Sequence, residues 1–215
     1  MNRGGTRIST RSKDIFASAY LTLASIIQGV ALAALVQRVE SSYGTLDATA
    51  WIMVITVFVA VIVIWHEYLM MVLAYVWVPG ILDSIIPFAF VAGELFMAHF
   101  ATSDQRSWLL AYGITFAVGL AASLLTQVQV LAHFEENRQI LALTGRLGAA
   151  RGALAGGLAA LALVGWAVYV RIGLDQEKLG VALVALSLVI IFAAVSIPFW
   201  NQVVRHAHGG ESPTA

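Results

Sequence analysis

A short set of polar side chains stands inside long apolar stretches of this sequence, and those residues carry whatever chemistry it has. They are Asp14, Thr22 and Gln28, then His66 and Glu67, then Asp83, Glu94 and His99, and finally Gln127. No lysine or arginine is read within the same stretches. An acid in such surroundings must hold a proton, bond to neutral donors, be wetted by a cavity or pair with a cation. Every one of these options except the neutral hydrogen bond is chemistry of ion or proton handling.

Other chemistries are poorly supplied. There is no cysteine, which excludes thiolate nucleophiles, disulfides and iron–sulfur clusters. Retinal needs a lysine at mid-membrane, and Lys13 and Lys178 lie at helix ends. A membrane haem needs facing histidines at one depth, whereas His66 and His99 read at different levels, and a His66 and His133 pair is only a weaker option. His66, Glu67 and Asp83 could in principle hold a metal, but a His-Glu dipeptide is a weak signal, so neither metal nor cofactor is expected. Phosphate-binding Gly-rich loops and Gly-x-Ser-x-Gly elbows are missing, and no catalytic residue is assigned.

The elements that position these groups follow from composition. Of 215 residues 60% are apolar and 11% charged, and the mean hydropathy is +0.86. Soluble domains carry about 25% charged residues, so this surface must face lipid. Spanning the hydrocarbon takes roughly 20 helical residues. Six runs qualify: Ile15–Val36, Trp51–Trp77, Ile81–Ala101, Trp108–Val130, Gly152–Val170 and Leu179–Trp200. They are continuously apolar, which favours helices over barrel strands. The fold class is therefore all-α, a polytopic membrane protein with six transmembrane helices. Residues 1–205 form a single domain, and 206–215 read as a disordered tail. Helix one reads as a span and not a cleaved leader, whose apolar core runs only about 7–15 residues.

Basic residues in the flanks set orientation. With the N-terminus inside, Arg3, Arg7, Arg11, Lys13, Arg138, Arg146, Arg151 and Arg205 are cytoplasmic, against Arg38, Arg106, Arg171 and Lys178 outside. Both termini are thus expected in the cytoplasm, at a bacterial-type inner membrane. Val78-Pro79-Gly80 reads as a tight hairpin turn, and His133 to Gln139 as a cytoplasmic connector. At 1.5 Å per residue, His66 and Glu67 lie about 22–24 Å from the outer end of helix two. Asp14, His66, Glu67 and Asp83 could then converge near the cytoplasmic side, with Glu94 nearer the outer half. Plainer roles stand beside these: Asp14 as a helix cap, and His66 and Glu67 as headgroup contacts. Gly119 with Ser123, and Gly152 with Gly156, form small-xxx-small pairs read as helix packing.

The first three helices resemble the six-helix potassium channel family of bacteria and lysosomes named for its Phe-Ser-Asp motif. Asp14 is followed by Thr22-Leu23 and Ile26, then Trp65-His66, then Asp83 ahead of Pro87. The resemblance implies a polar network of Asp14, His66 and Asp83, and a pore lined by Thr22 and Ile26 of several copies. Ser12-Lys13-Asp14 stands where that family has its motif, Ala19 at a constriction position, and Asp83 in place of an Asn. The functional expectation is an oligomeric cation or proton channel or transporter working through Asp14, Thr22, Ile26, His66, Glu67, Asp83 and Glu94. The alternative is a non-transporting scaffold, effector or subunit of a larger membrane complex. The expected partners are the lipid bilayer, further copies of the chain and, in the alternative, another membrane subunit. With 12 basic and 12 acidic residues there is no field for nucleic acid.

Overall fold

A computed structural model gives the architecture. It describes the backbone of residues 4–75, 81–173 and 178–208, and the side chains of these except at 4–17, 143–147 and 206–208. Among the described residues all regular structure is helical: α1 (Gly4–Ser42), α2 (Ala48–Ala74), α3 (Ile81–Phe100), α4 (Gln105–Ala132), α5 (Phe134–Ile172) and α6 (Lys178–His208), with one 3-10 turn at Tyr43–Thr45. All six contain a stretch long and apolar enough to cross a membrane. Six successive crossings return the chain to its starting side, so both ends of the described chain lie at one end of the bundle, called here the terminal end. The opposite end carries the α1–α2, α3–α4 and α5–α6 connections and is called the loop end. The Val78-Pro79-Gly80 turn lies outside the described residues.

Local chemistry ends these helices where it does. Asp47 caps α2, its Oδ1 accepting from the Ala50 amide at 2.7 Å. Asp104 caps α4, accepting from the amides of Arg106 at 3.1 Å and Ser107 at 3.2 Å. The Ser107 hydroxyl, followed by those amides and the Arg106 charge, holds the Asp104 carboxyl below the usual aspartate range. α5 stops at Gly173, whose φ of 70° is a left-handed conformation that costs glycine little.

The helices close into a ring in the order α1, α3, α4, α5, α6, α2 and back to α1, with α2 and α3 also touching lightly. α4 and α5 run antiparallel through small residues. Gly156 packs on Leu120, and a Cβ at Gly152 would lie 3.4 Å from Gln127 Nε2 and 3.8 Å from Ser123 Oγ. A Cβ at Gly119 would sit 3.7 Å from the Phe90 ring, which brings α3 against α4. Closer still is Gly93, where a Cβ would run into the Thr115 hydroxyl. Membrane helices need such positions because lipid supplies no hydrophobic drive for them to associate, so close approach has to supply the attraction.

Two sequence expectations are corrected. The connector expected from His133 to Gln139 is a single residue: only His133 interrupts the path from α4 to α5, with ψ of 45°. Helix five also begins at Phe134 instead of Gly152. Arg138, Arg146 and Arg151 end the apolar run but not the helix, since Arg, Gln, Leu and Ala are good helix formers and Glu135 and Glu136 favour its first turn. The buried Asn137 fixes the corner, its Nδ2 donating to the carbonyls of His133 at 3.0 Å and Val130 at 3.4 Å. From that corner α5 passes toward the far wall, where Ile140 packs with Ala74, Phe199 and Trp200.

Candidate functional site

The ring of helices surrounds a partly open cavity of about 290 Å³ in its terminal half. Its wall is largely apolar. Eight aromatic rings line it, among them Tyr20, Tyr68, Phe90, Tyr112 and Trp200, and three charged side chains join them: Glu67, Asp83 and Arg151. The loop end is shut by Tyr112, whose hydroxyl crosses from α4 to donate to the Ala185 carbonyl of α6 at 2.7 Å. Toward the terminal end the wall is made by Tyr75, Leu131, Leu141 and Trp200.

Glu67 projects from α2 because it shares a helical face with Ala60, Val63, Ile64, Tyr68 and Met71, all of which line the cavity. Its carboxylate is fully engaged. Oε2 pairs with Arg151 of α5 and accepts from Trp200 Nε1 at 3.0 Å, while Oε1 accepts from the Ser196 hydroxyl. Arg151 also donates to Ser196 Oγ at 3.2 Å. Its guanidinium lies 5.0 Å from the centre of the Phe199 ring and 4.7 Å from that of Trp200. Cation–π contact and the ion pair together hold a charge that would be costly alone at this depth.

This corrects the expectation that no basic residue lies among the intramembrane acids. By sequence Arg151 reads as cytoplasmic flank, because it precedes the apolar run that begins at Gly152. In the structure α5 carries it on past that point, inside a membrane-crossing stretch, and aims it at Glu67. The signal lay in its neighbours: Gly152, Ala153 and Ala155 leave room around the arginine, and small residues of this kind line a packed interior.

Asp83 sits on the same cavity wall, buried near the start of α3, and its Oδ2 accepts from Gln129 Nε2 of α4 at 2.7 Å. Tyr20 is its neighbour from α1, within electrostatic reach. Sequence reasoning expected Asp83 at this level but did not identify Gln129, which reads as one more polar residue near a helix end.

The other predicted residues scatter. His66 is half-buried and is not among the residues that line the cavity, so it stands apart from Glu67 and Asp83. Among the described residues no group of three His, Asp or Glu side chains could hold a metal. Thr22 and Ile26 point out of the bundle, Thr22 donating to its own helix at Ser18 O over 2.8 Å and Ile26 being 61% exposed. The side chain of Asp14 lies outside the described residues. Glu94 is fully buried between α1, α2 and α3, but it does not line the cavity. His99 is exposed, with its carbonyl accepting from Arg38 Nε at 3.1 Å.

Fold and site together define a six-helix integral membrane protein with an internal, aromatic and charge-bearing cavity. Compared with known proteins, the chain matches no family model, no curated protein and no solved structure.

Proposed function

We propose that the protein is a membrane carrier for a small organic cation, with the cavity inside each chain as the translocation site. The observation that carries this reading is the make-up of the wall. Its described residues bear two carboxylates, Glu67 and Asp83, to one guanidinium, Arg151, and they set these among eight aromatic rings. A cation with an apolar body is stabilised by ring faces and by carboxylates in a medium of low dielectric constant. Pockets of roughly 300 Å³ and upward suit small ligands, and such sites form between helices of bundles. The basic flanks favour the terminal end as the cytoplasmic one, at a bacterial-type inner membrane.

The test is uptake of radiolabelled tetraethylammonium into proteoliposomes. Saturable uptake that Asp83→Asn abolishes is the expected result. Uptake equal to that of empty liposomes, or unchanged by Asp83→Asn, overturns the proposal.

A second reading follows the resemblance to the potassium channel family and puts the pathway between copies of the chain. It is favoured by the outward placement of Thr22 and Ile26 on α1. Because the chain has no cysteine, Ile26→Cys gives a single thiol. Covalent dimers formed across that thiol in the membrane support the second reading, and a chain that stays monomeric on oxidation argues for the first.

A further inference from the structure

Glu94 on α3, Gln28 on α1 and Tyr68 on α2 meet where those three helices pack, at 0%, 3% and 4% exposure. Both carboxyl oxygens of Glu94, both side-chain polar atoms of Gln28 and the Tyr68 hydroxyl have no hydrogen-bond partner among the described residues. Tyr68 clusters with Ala24 of α1 and Phe90 of α3, its ring 5.7 Å from that of Phe90, and Gln28 and Glu94 stand one helical turn beyond those two residues on the same helix faces.

Burial of a polar atom without a partner is costly, so a cluster of five calls for something between them. Nearby groups are committed elsewhere. On α4 the Thr115 hydroxyl donates to Ala111 O and the Tyr112 hydroxyl to Ala185 O. Arg151 is paired with Glu67, and Arg38 reaches the His99 carbonyl at the loop end.

We propose that Glu94, Gln28 and Tyr68 bind one alkali-metal cation. A proton on the carboxyl supplies one donor, which meets its own oxygen and one acceptor and leaves the other three atoms of the cluster without a partner. A bridging water would meet several of them but leave the carboxylate charge uncompensated in a membrane interior. An alkali cation takes oxygen ligands, and the cluster offers four: two from the carboxylate, the amide carbonyl of Gln28 and the phenol of Tyr68. Its single charge balances the single carboxylate, and Gln28 Nε2 remains to donate to a carboxylate oxygen. Tyr68 also lines the cavity, so the ion sits one side chain away from the solute. The site itself does not depend on what the cavity carries.

The test uses the purified full chain in nanodiscs of zwitterionic lipid at constant ionic strength, in sodium, potassium or N-methyl-D-glucamine chloride. Calorimetric binding of one ion per chain is expected from sodium or potassium, with a thermal midpoint that rises with its concentration. The arm that responds identifies the ion. Glu94→Gln, neutral and of equal size, should remain folded and lose both responses. Tyr68→Phe should weaken the affinity about tenfold, the loss of one contact to a charged group, and it decides the matter if Glu94→Gln does not fold. Equal midpoints in all three salts, an alkali response that persists in Glu94→Gln, or a midpoint that follows pH alone would each overturn the proposal. Because no tetraethylammonium is present, failure here is separate from failure of the carrier reading.

Discussion

The two halves of the bundle are built from the same six helices and do different work. In the loop half the described side chains interlock into one continuous core: Ala31 and Leu35 of α1 meet Val57 and Val61 of α2, Met97 of α3, Trp108 and Tyr112 of α4, Ala162 of α5, and Ala185 and Val189 of α6. In the terminal half the same helices stand around the cavity, and the described residues form two smaller clusters, one at Tyr20, Ala24, Tyr68 and Phe90, the other at Ala74, Phe199, Trp200 and Val203. The loop half thus fixes the spacing of the helices, and the terminal half uses that spacing to hold charge and space. Stability of the first kind comes from packing, and that of the second from a few strong polar contacts.

The largest effect that separates the halves should come from Arg151. Truncation by Arg151→Ala leaves the Glu67 carboxylate without its cation and is expected to cost about 3–5 kcal/mol, seen as a lower thermal midpoint in detergent. The double variant Glu67→Gln with Arg151→Met removes both charges and should recover most of that loss. A double variant no more stable than the single one would show that the pair is not what holds α2, α5 and α6 together.

Next in size is the close approach of α3 and α4. Gly93→Ala forces Thr115 to move and should cost about 1–3 kcal/mol, as overpacking does. Gly157→Ala, whose Cβ meets nothing within 4 Å inside the chain, should change the midpoint little. Similar losses at both positions would mean that Gly157 packs against something outside this chain.

A matched pair of valines compares packed core with cavity wall. Val61 of α2 is buried in the core, whereas Val63, two residues on, packs half-buried against the edge of the same core and lines the cavity. Val61→Ala should cost about 1–2 kcal/mol, because a rigid core leaves the vacated space empty. Val63→Ala enlarges a space that already exists and should cost less than half as much. Equal costs would remove the distinction between packed core and open wall.

The smallest effect lies at the loop-end surface. Asp104 is held in its charged form in the fold, so its contribution is present above the ordinary aspartate pKa and fades as the pH falls through the lower folded value. Asp104→Ala should cost about 1 kcal/mol at neutral pH through loss of the α4 cap. That difference should shrink below about pH 4. A difference that does not change with pH would assign the cap to geometry without charge.

Much of the fold was legible because lipid imposes a strict code. Twenty apolar residues in a row admit one structure, so all six crossings are visible in the sequence. What the code does not carry is the order of helices around the ring, which depends on which faces approach closely. Gly93 stands in an apolar run like any other membrane glycine, and only its position against Thr115 shows that it brings two helices together. The candidate site was half legible for a related reason. Glu67, Asp83 and Glu94 stand out as acids among apolar neighbours. Arg151 hides at the edge of an apolar run, where an arginine belongs by default, and its partnership with Glu67 spans 84 positions of sequence. Thr22 stands out as a polar residue in an apolar run and Ile26 by resemblance alone, and no property of a single chain says whether an outward face meets lipid or another copy.

The central claim is that the terminal half holds a solute with a positive charge. Calorimetric titration of the purified chain with tetraethylammonium tests it most directly, alongside Asp83→Asn and an uncharged tetraethyl analogue of the same shape. Saturable binding of one tetraethylammonium per chain is expected, lost in Asp83→Asn and not reproduced by the neutral analogue. Equal binding of the two compounds, or binding unaltered by Asp83→Asn, would contradict it.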